Sequence, residues 1–82
     1  MSRLEIDEDG SRLWYNDQGY YHREDGPAVE CVNGTKQWFK NGKFHRIGGP
    51  AIEWHFGEKE YFLNDKLYTK KEYNKKSLKF PK

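Results

Sequence analysis

Apolar and polar residues alternate along this chain only in short runs of four to six, cut by turn-forming pairs. Lys36 and Trp38 fall on one face of such a run, and Gln37 and Phe39 on the other. Ile52 and Trp54 share a face opposite Glu53 and His55. Runs of this length, rich in aromatic and β-branched residues, are strands; a helix needs about ten to twelve. Asn41-Gly42 and Asn33-Gly34 suit type I′ turns, in which both central residues take φ > 0. Phe56-Gly57 and Asn64-Asp65 occupy the matching places further on, and Gly26-Pro27 and Gly49-Pro50 punctuate the other connection. A proline there fits the first residue of a strand. Adjacent rings, as in Trp14-Tyr15, Tyr20-Tyr21 and Tyr61-Phe62, put one aromatic on each side of a sheet. So short a chain cannot cover both sides, which leaves part of an aromatic face exposed or buried in a partner.

The pattern repeats. His22-Arg23 recurs as His45-Arg46, Gly26-Pro27-Ala28 as Gly49-Pro50-Ala51, and Trp38-Phe39 as Tyr61-Phe62, all at an offset of 23. Upstream, Trp14-Tyr15 matches Trp38-Phe39 at 24, which places one extra residue in the turn around Asp17-Gln18-Gly19. The repeats run about 4–26, 27–49 and 50–68. The third fades where His45-Arg46 would fall on Tyr68-Thr69, as a terminal capping unit does. Thr69 and Glu72 then form a capping box that starts a short helix over about 69–76. Tyr73 is placed to dock on the end of the sheet, and a loose tail follows over 77–82. The expectation is a single all-β domain: an antiparallel meander of repeated hairpins, about seven to nine strands in one twisted sheet, with a short C-terminal helix.

Composition changes this picture in one respect. Only 34% of residues are apolar and 34% are charged, figures that lean toward disorder, yet fourteen of the 82 are aromatic. Each buried ring removes roughly 150–250 Å² from water, so a thin aromatic core is attainable. Cys31 is the sole cysteine, so no disulfide staples the chain, and a reduced structural thiol is expected. Charge is uneven: residues 1–32 carry three basic and eight acidic side chains, residues 33–82 twelve and five. Lys70, Lys71, Lys75, Lys76, Lys79 and Lys82 crowd the C-terminal end, as a solvated face or as a patch for an anionic partner. Residues 1–10 are acidic without an apolar run and no stretch approaches a membrane span, so a cytoplasmic protein is expected.

The phrase Asn-Gly-Lys-x-His-Arg-x-x-Gly-Pro-Ala, here Asn41 to Ala51, resembles the MORN-like repeats of small bacterial and tailed-phage proteins. The closing segment from Asn64 to Tyr73 is similar to the usual ending of such phage proteins, and the match spans about residues 10–73. Ile47-Gly48 departs from the Glu24-Asp25 of the preceding copy. The resemblance implies a β-hairpin repeat sheet without known catalytic chemistry. It further suggests an antitoxin-like or phage-encoded inhibitor of a host toxin, nuclease or defence effector.

The residues with chemistry read mainly as scaffold. His22, Arg23, Gly26, Pro27, His45, Arg46, Gly49 and Pro50 recur in register, and one site built twice is rarely a catalytic centre. The histidines are expected to hold the His-Arg to Gly-Pro loop, and Arg23 and Arg46 to pair with Glu30 and Glu53. A metal site would need His22 and His45 to converge with Asp25, whose counterpart is Gly48; neither a metal nor a cofactor is expected. No enzyme motif is present, and His55 lies outside the repeat pattern. The candidate contact residues are Trp14, Trp38 and Trp54, with Lys36, Lys40, Lys43, Arg46 and Lys59 around them and Lys70 and Lys71 at the C-terminal end. Three partners fit: a host protein, RNA or single-stranded DNA on an aromatic and cationic platform, or a second copy in a homo-oligomer.

Overall fold

The computed structural model describes residues 3–77. Nine antiparallel strands lead into one helix: β1 (Arg3–Ile6), β2 (Arg12–Tyr15), β3 (Val29–Glu30), β4 (Lys36–Gln37), β5 (Phe39–Lys40), β6 (Lys43–Phe44), β7 (Ile52–Glu53), β8 (Lys59–Leu63), β9 (Lys66–Tyr68) and α1 (Lys70–Ser77). Seven strands form a sheet in the order β1-β2-β3-β4-β7-β8-β9, and β5 and β6 extend it as a two-stranded hairpin. The slab measures 38 × 30 × 17 Å.

The meander contains a repeated detour. Residues 36–40 pair with 43 and 44 through β5–β6 and with 52 and 53 through β4–β7. Between the two pairings Trp38 binds both returning ends: its amide donates to the Ala51 carbonyl (2.7 Å) and its carbonyl accepts from His45 (3.1 Å). Residues 46–50 are thus looped out opposite Trp38. The first copy does the same around Trp14, with Ala28 and His22 as the bound ends (2.8 and 2.9 Å).

The turns are of two kinds. Asn41-Gly42 takes φ 51° and 82°, and Asn64-Asp65 takes 50° and 70°, the backbone of a type I′ turn. Asn33-Gly34 is not the type I′ turn its composition suggested: only Gly34 has positive φ, at 98°. There Gly34 donates to Cys31 and Cys31 to Thr35, a three-residue loop ending in a glycine bulge, while the Asn33 side chain caps the Thr35 amide at 3.0 Å. The turns at Gly10, Gly19 and Gly57 are closed in the same way. The loop at Asp17–Gly19 therefore holds one residue more than Asn41-Gly42, which is the change of offset from 23 to 24.

The core is thin. Ala28, Val29, Ala51, Ile52, Leu63 and Tyr73 are its buried apolar residues, and none of the larger side chains is completely enclosed. Rings supply the rest. Tyr15, Tyr21, Phe39, Phe44 and Phe62 form a continuous ladder with centroids 4.3–5.1 Å apart, each pair worth about 0.5–1.5 kcal/mol beyond burial. Strand alternation puts this ladder on one face and Trp14, Trp38 and Tyr61 on the other, as the adjacent aromatics predicted.

The capping box forms as read. Thr69 Oγ1 accepts from the Glu72 amide at 3.2 Å, and Glu72 Oε1 accepts from the Thr69 amide at 3.1 Å. The helix includes Ser77, which sequence reasoning assigned to a loose tail; the remainder of that tail, with Lys79, Pro81 and Lys82, lies outside the described residues. Among the described residues no helix is long and apolar enough to cross a membrane.

Candidate partner-binding face

On the tryptophan face, each looped-out segment folds its arginine back over the ring it faces. The Arg23 guanidinium lies 3.8 Å from the Trp14 ring centre, and that of Arg46 lies 3.7 Å from Trp38. Each Nη1 donates to a proline carbonyl, Pro27 or Pro50, at 3.1 Å. Each also reaches a carboxylate, Glu30 at 3.4 Å or Glu53 at 3.1 Å. Glycine closes the other side. A Cβ on Gly49 would lie 2.8 Å from the Arg46 Cζ, and one on Gly26 would lie 3.1 Å from the Arg23 Cζ. Gly49→Ala should therefore displace Arg46 from Trp38 and destabilise the protein by about 1–3 kcal/mol in urea unfolding.

The histidines do more than the job expected of them, which His22 still does through Glu24, 3.5 Å from its Nε2. They reach past their own loop to the next hairpin: His22 Nδ1 accepts from the Asn41 amide and His45 Nδ1 from the Asn64 amide, each at 3.0 Å. Ser11 and Thr35 add a second stitch, their hydroxyls accepting from the amides of Val32 and His55 at 3.2 Å. Burial first, and the positive charge of Lys40 second, hold the His45 imidazole below its usual range. The unfolded chain then takes up the proton first. The contribution of His45 to stability is complete above an ordinary histidine pKa of about 6.5 and is lost as pH falls through that value toward the lower folded one. His45→Gln should flatten this part of the stability–pH profile in urea titrations from pH 7.5 to 5.

Of the cations read as a contact row, Lys36 and Lys59 are interleaved with carboxylates and Arg46 is paired with Glu53. In register across the sheet run Arg12, Glu30, Lys36, Glu53 and Lys59, so adjacent strands carry opposite signs. Lys40 and Lys43 stand directly opposite each other at a hairpin tip, exposed. Lys70 and Lys71 are exposed on the first turn of α1. The three tryptophans do not form one row. Trp54 lies elsewhere, its Nε1 donating to Glu60 at 2.6 Å and its ring stacked on Phe56. Burial and the charge of Asp9 push the Cys31 thiol up, away from the thiolate. Among the described residues no three histidine, cysteine or carboxylate side chains gather as a metal site.

An open cleft of about 730 Å³ lies between the two successive loops. Arg23, Glu24 and Asp25 line it from the first loop, Arg46 and Ile47 from the second, and Trp38 and Lys40 from the segment between. Sequence reasoning singled out Trp38, Lys40 and Arg46 as contacts but not Glu24 or Asp25; the signal was the Glu24-Asp25 to Ile47-Gly48 departure between copies. No family model, no curated protein and no solved structure matches this chain.

Proposed function

We propose that this chain is a non-enzymatic, cytoplasmic binding protein that recognises another protein through its tryptophan face. The supporting observation is the open cleft between the two His-Arg loops, on a face whose histidines and arginines are committed to the scaffold. The resemblance to MORN-like phage repeats directs this reading to an inhibitor of a host toxin or defence protein. A nucleic-acid platform has less support. The ladder rings turn their faces to one another, and Trp14 and Trp38 are covered by guanidinium groups, so bases find few free ring faces. Across the sheet, the alternation from Arg12 to Lys59 likewise gives no single-sign track for phosphates, which leaves the exposed lysines of α1 as the cations for such a reading.

The test is affinity capture from host lysate with the wild-type chain and with Glu24→Lys, a change at a side chain 85% exposed that lies 3.5 Å from His22 Nε2, with urea unfolding of the variant to show that the fold is kept. One stoichiometric protein lost on Glu24→Lys supports the reading. Capture of nucleic acid alone, with a steep salt dependence, or of a protein indifferent to Glu24→Lys, overturns it.

A further inference from the structure

The two edges of the large sheet are finished differently. At one end β9 is three residues long, carries Lys66 and runs directly into α1, whose Tyr73 packs on Tyr61 of β8 with ring centres 5.0 Å apart. At the other end β1 is open: among the described residues no strand or helix pairs with its outer side, and all four of its residues are exposed. Its sequence, Arg-Leu-Glu-Ile, holds no proline or lysine, and its register with β2 has no bulge, so the usual devices that blunt an edge are missing. Which backbone groups face outward follows from the ladder. Leu4 stands opposite Trp14, and Trp14 spends both its amide and its carbonyl on the far side, on Ala28 and His22. Leu4 and Trp14 are therefore a pair without mutual hydrogen bonds, and the Leu4 amide and carbonyl point away from β2. Those of Ile6, two residues on, point the same way.

An antiparallel strand added to this edge must set outward-pointing residues against outward-pointing residues, which leaves few registers for a second copy of β1. Leu4 against Leu4 sets Arg3 opposite Glu5 on both sides of the axis. Sliding the copy by two residues sets Glu5 against Glu5 in one direction and Arg3 against Arg3 in the other, like charges in direct opposition. The strand is thus complementary to itself in one register. From this we infer that the protein forms a two-fold dimer in which β1 pairs antiparallel with β1 of a second copy, centred on Leu4. The two Leu4 residues exchange amide and carbonyl bonds across the axis. Their side chains, 47% exposed in the single chain, meet on the tryptophan face between the two Trp14 rings. On the opposite face Arg3 keeps its bond to Glu5 of its own strand (3.2 Å) and gains the partner's Glu5, so four charges alternate around the axis. The two seven-stranded sheets join into one, with both tryptophan faces on the same side. The contact is small, so the association is weak and belongs to high concentration. The inference does not depend on the protein-binding reading above.

Sedimentation equilibrium of the full chain, carried to millimolar concentration, should show the apparent mass rising from 9.9 kDa toward twice that value. Arg3→Glu and Glu5→Arg should each weaken self-association by about tenfold or more, because each turns both cross-strand pairs into like charges. Mixing the two variants restores opposite signs in both pairs, so the mixture should associate where neither variant does alone. Both side chains are more than half exposed, and the urea midpoints of the variants should stay near that of the wild type. Recovery in the mixture also shows that neither variant is misfolded. A wild-type chain that stays at 9.9 kDa at millimolar concentration, single variants that associate like the wild type, or a mixture that stays dissociated would overturn the inference.

Discussion

Replacing Tyr73 by alanine is expected to cost the fold about 3–5 kcal/mol, the largest loss from any single substitution considered. The ring is one of the few large groups brought almost wholly out of water, and its hydroxyl is the meeting point of two loop amides and a carbonyl. Alanine removes the ring from Tyr61, leaves the Gly48 and Gly49 donors without their acceptor, and frees α1 from the sheet. An isolated helix of eight residues does not persist in water, so the helical circular-dichroism signal should vanish even where the sheet survives. For a chain of this length, total stability is on the order of 4–12 kcal/mol, so the loss approaches global unfolding. Tyr73→Phe separates the two contributions. It keeps the ring and should cost only about 1–3 kcal/mol, with the helix retained. Urea titration followed at the helical band reads both variants; a Tyr73→Ala protein as stable as wild type would show that the docked tyrosine is not structural.

Trp38→Ala should be nearly as damaging, about 2–4 kcal/mol, and the loss should appear as a melting temperature lower by on the order of 10–20 °C. The ring is only half-buried, which would ordinarily make it mild. The damage comes from what rests on it. Arg46 loses the surface over which it lies 3.7 Å away, and its bonds to the Pro50 carbonyl and Glu53 lose their geometric support. Trp14→Ala should repeat the effect through Arg23, Pro27 and Glu30, since the two arrangements agree within 0.1 Å at the ring and the carbonyl. A consequence is that Trp38→Ala does not report cleanly on a partner: lost binding would reflect a displaced loop as much as a lost contact. The exposed Glu24 is the better position for that purpose.

The sequence carried the hairpin repeat clearly because turn chemistry and strand period agree. Asn41-Gly42 can hardly be anything but a tight turn, and the offset of 24 in the first copy marks the longer loop at Asp17–Gly19. The Arg-to-Glu pairings and the Thr69 capping box were legible because they are local, within seven and three residues. The Asn33-Gly34 turn was misread because asparagine tolerates two backbone states, and here its side chain caps the Thr35 amide from the right-handed one. The histidine stitches join atoms 19 residues apart across neighbouring hairpins, so repeat periodicity reveals the histidine but not its acceptor role. The candidate surface was legible only in part. Composition shows cations near aromatics, but only register shows Lys36 and Lys59 alternating with Glu30 and Glu53. Gly48 read only as a departure from Asp25; it takes φ 95°, and its amide and that of Gly49 both meet the Tyr73 hydroxyl.

The account turns on the claim that the recurring histidines are ties between copies rather than reactive groups. The direct measurement is ¹⁵N NMR of the imidazoles at pH 8. The expected result is that His22 and His45 both carry the proton on Nε2, with Nδ1 coupled through the hydrogen bond to the amides of Asn41 and Asn64. Rings exchanging freely between tautomers, without that coupling, would contradict it.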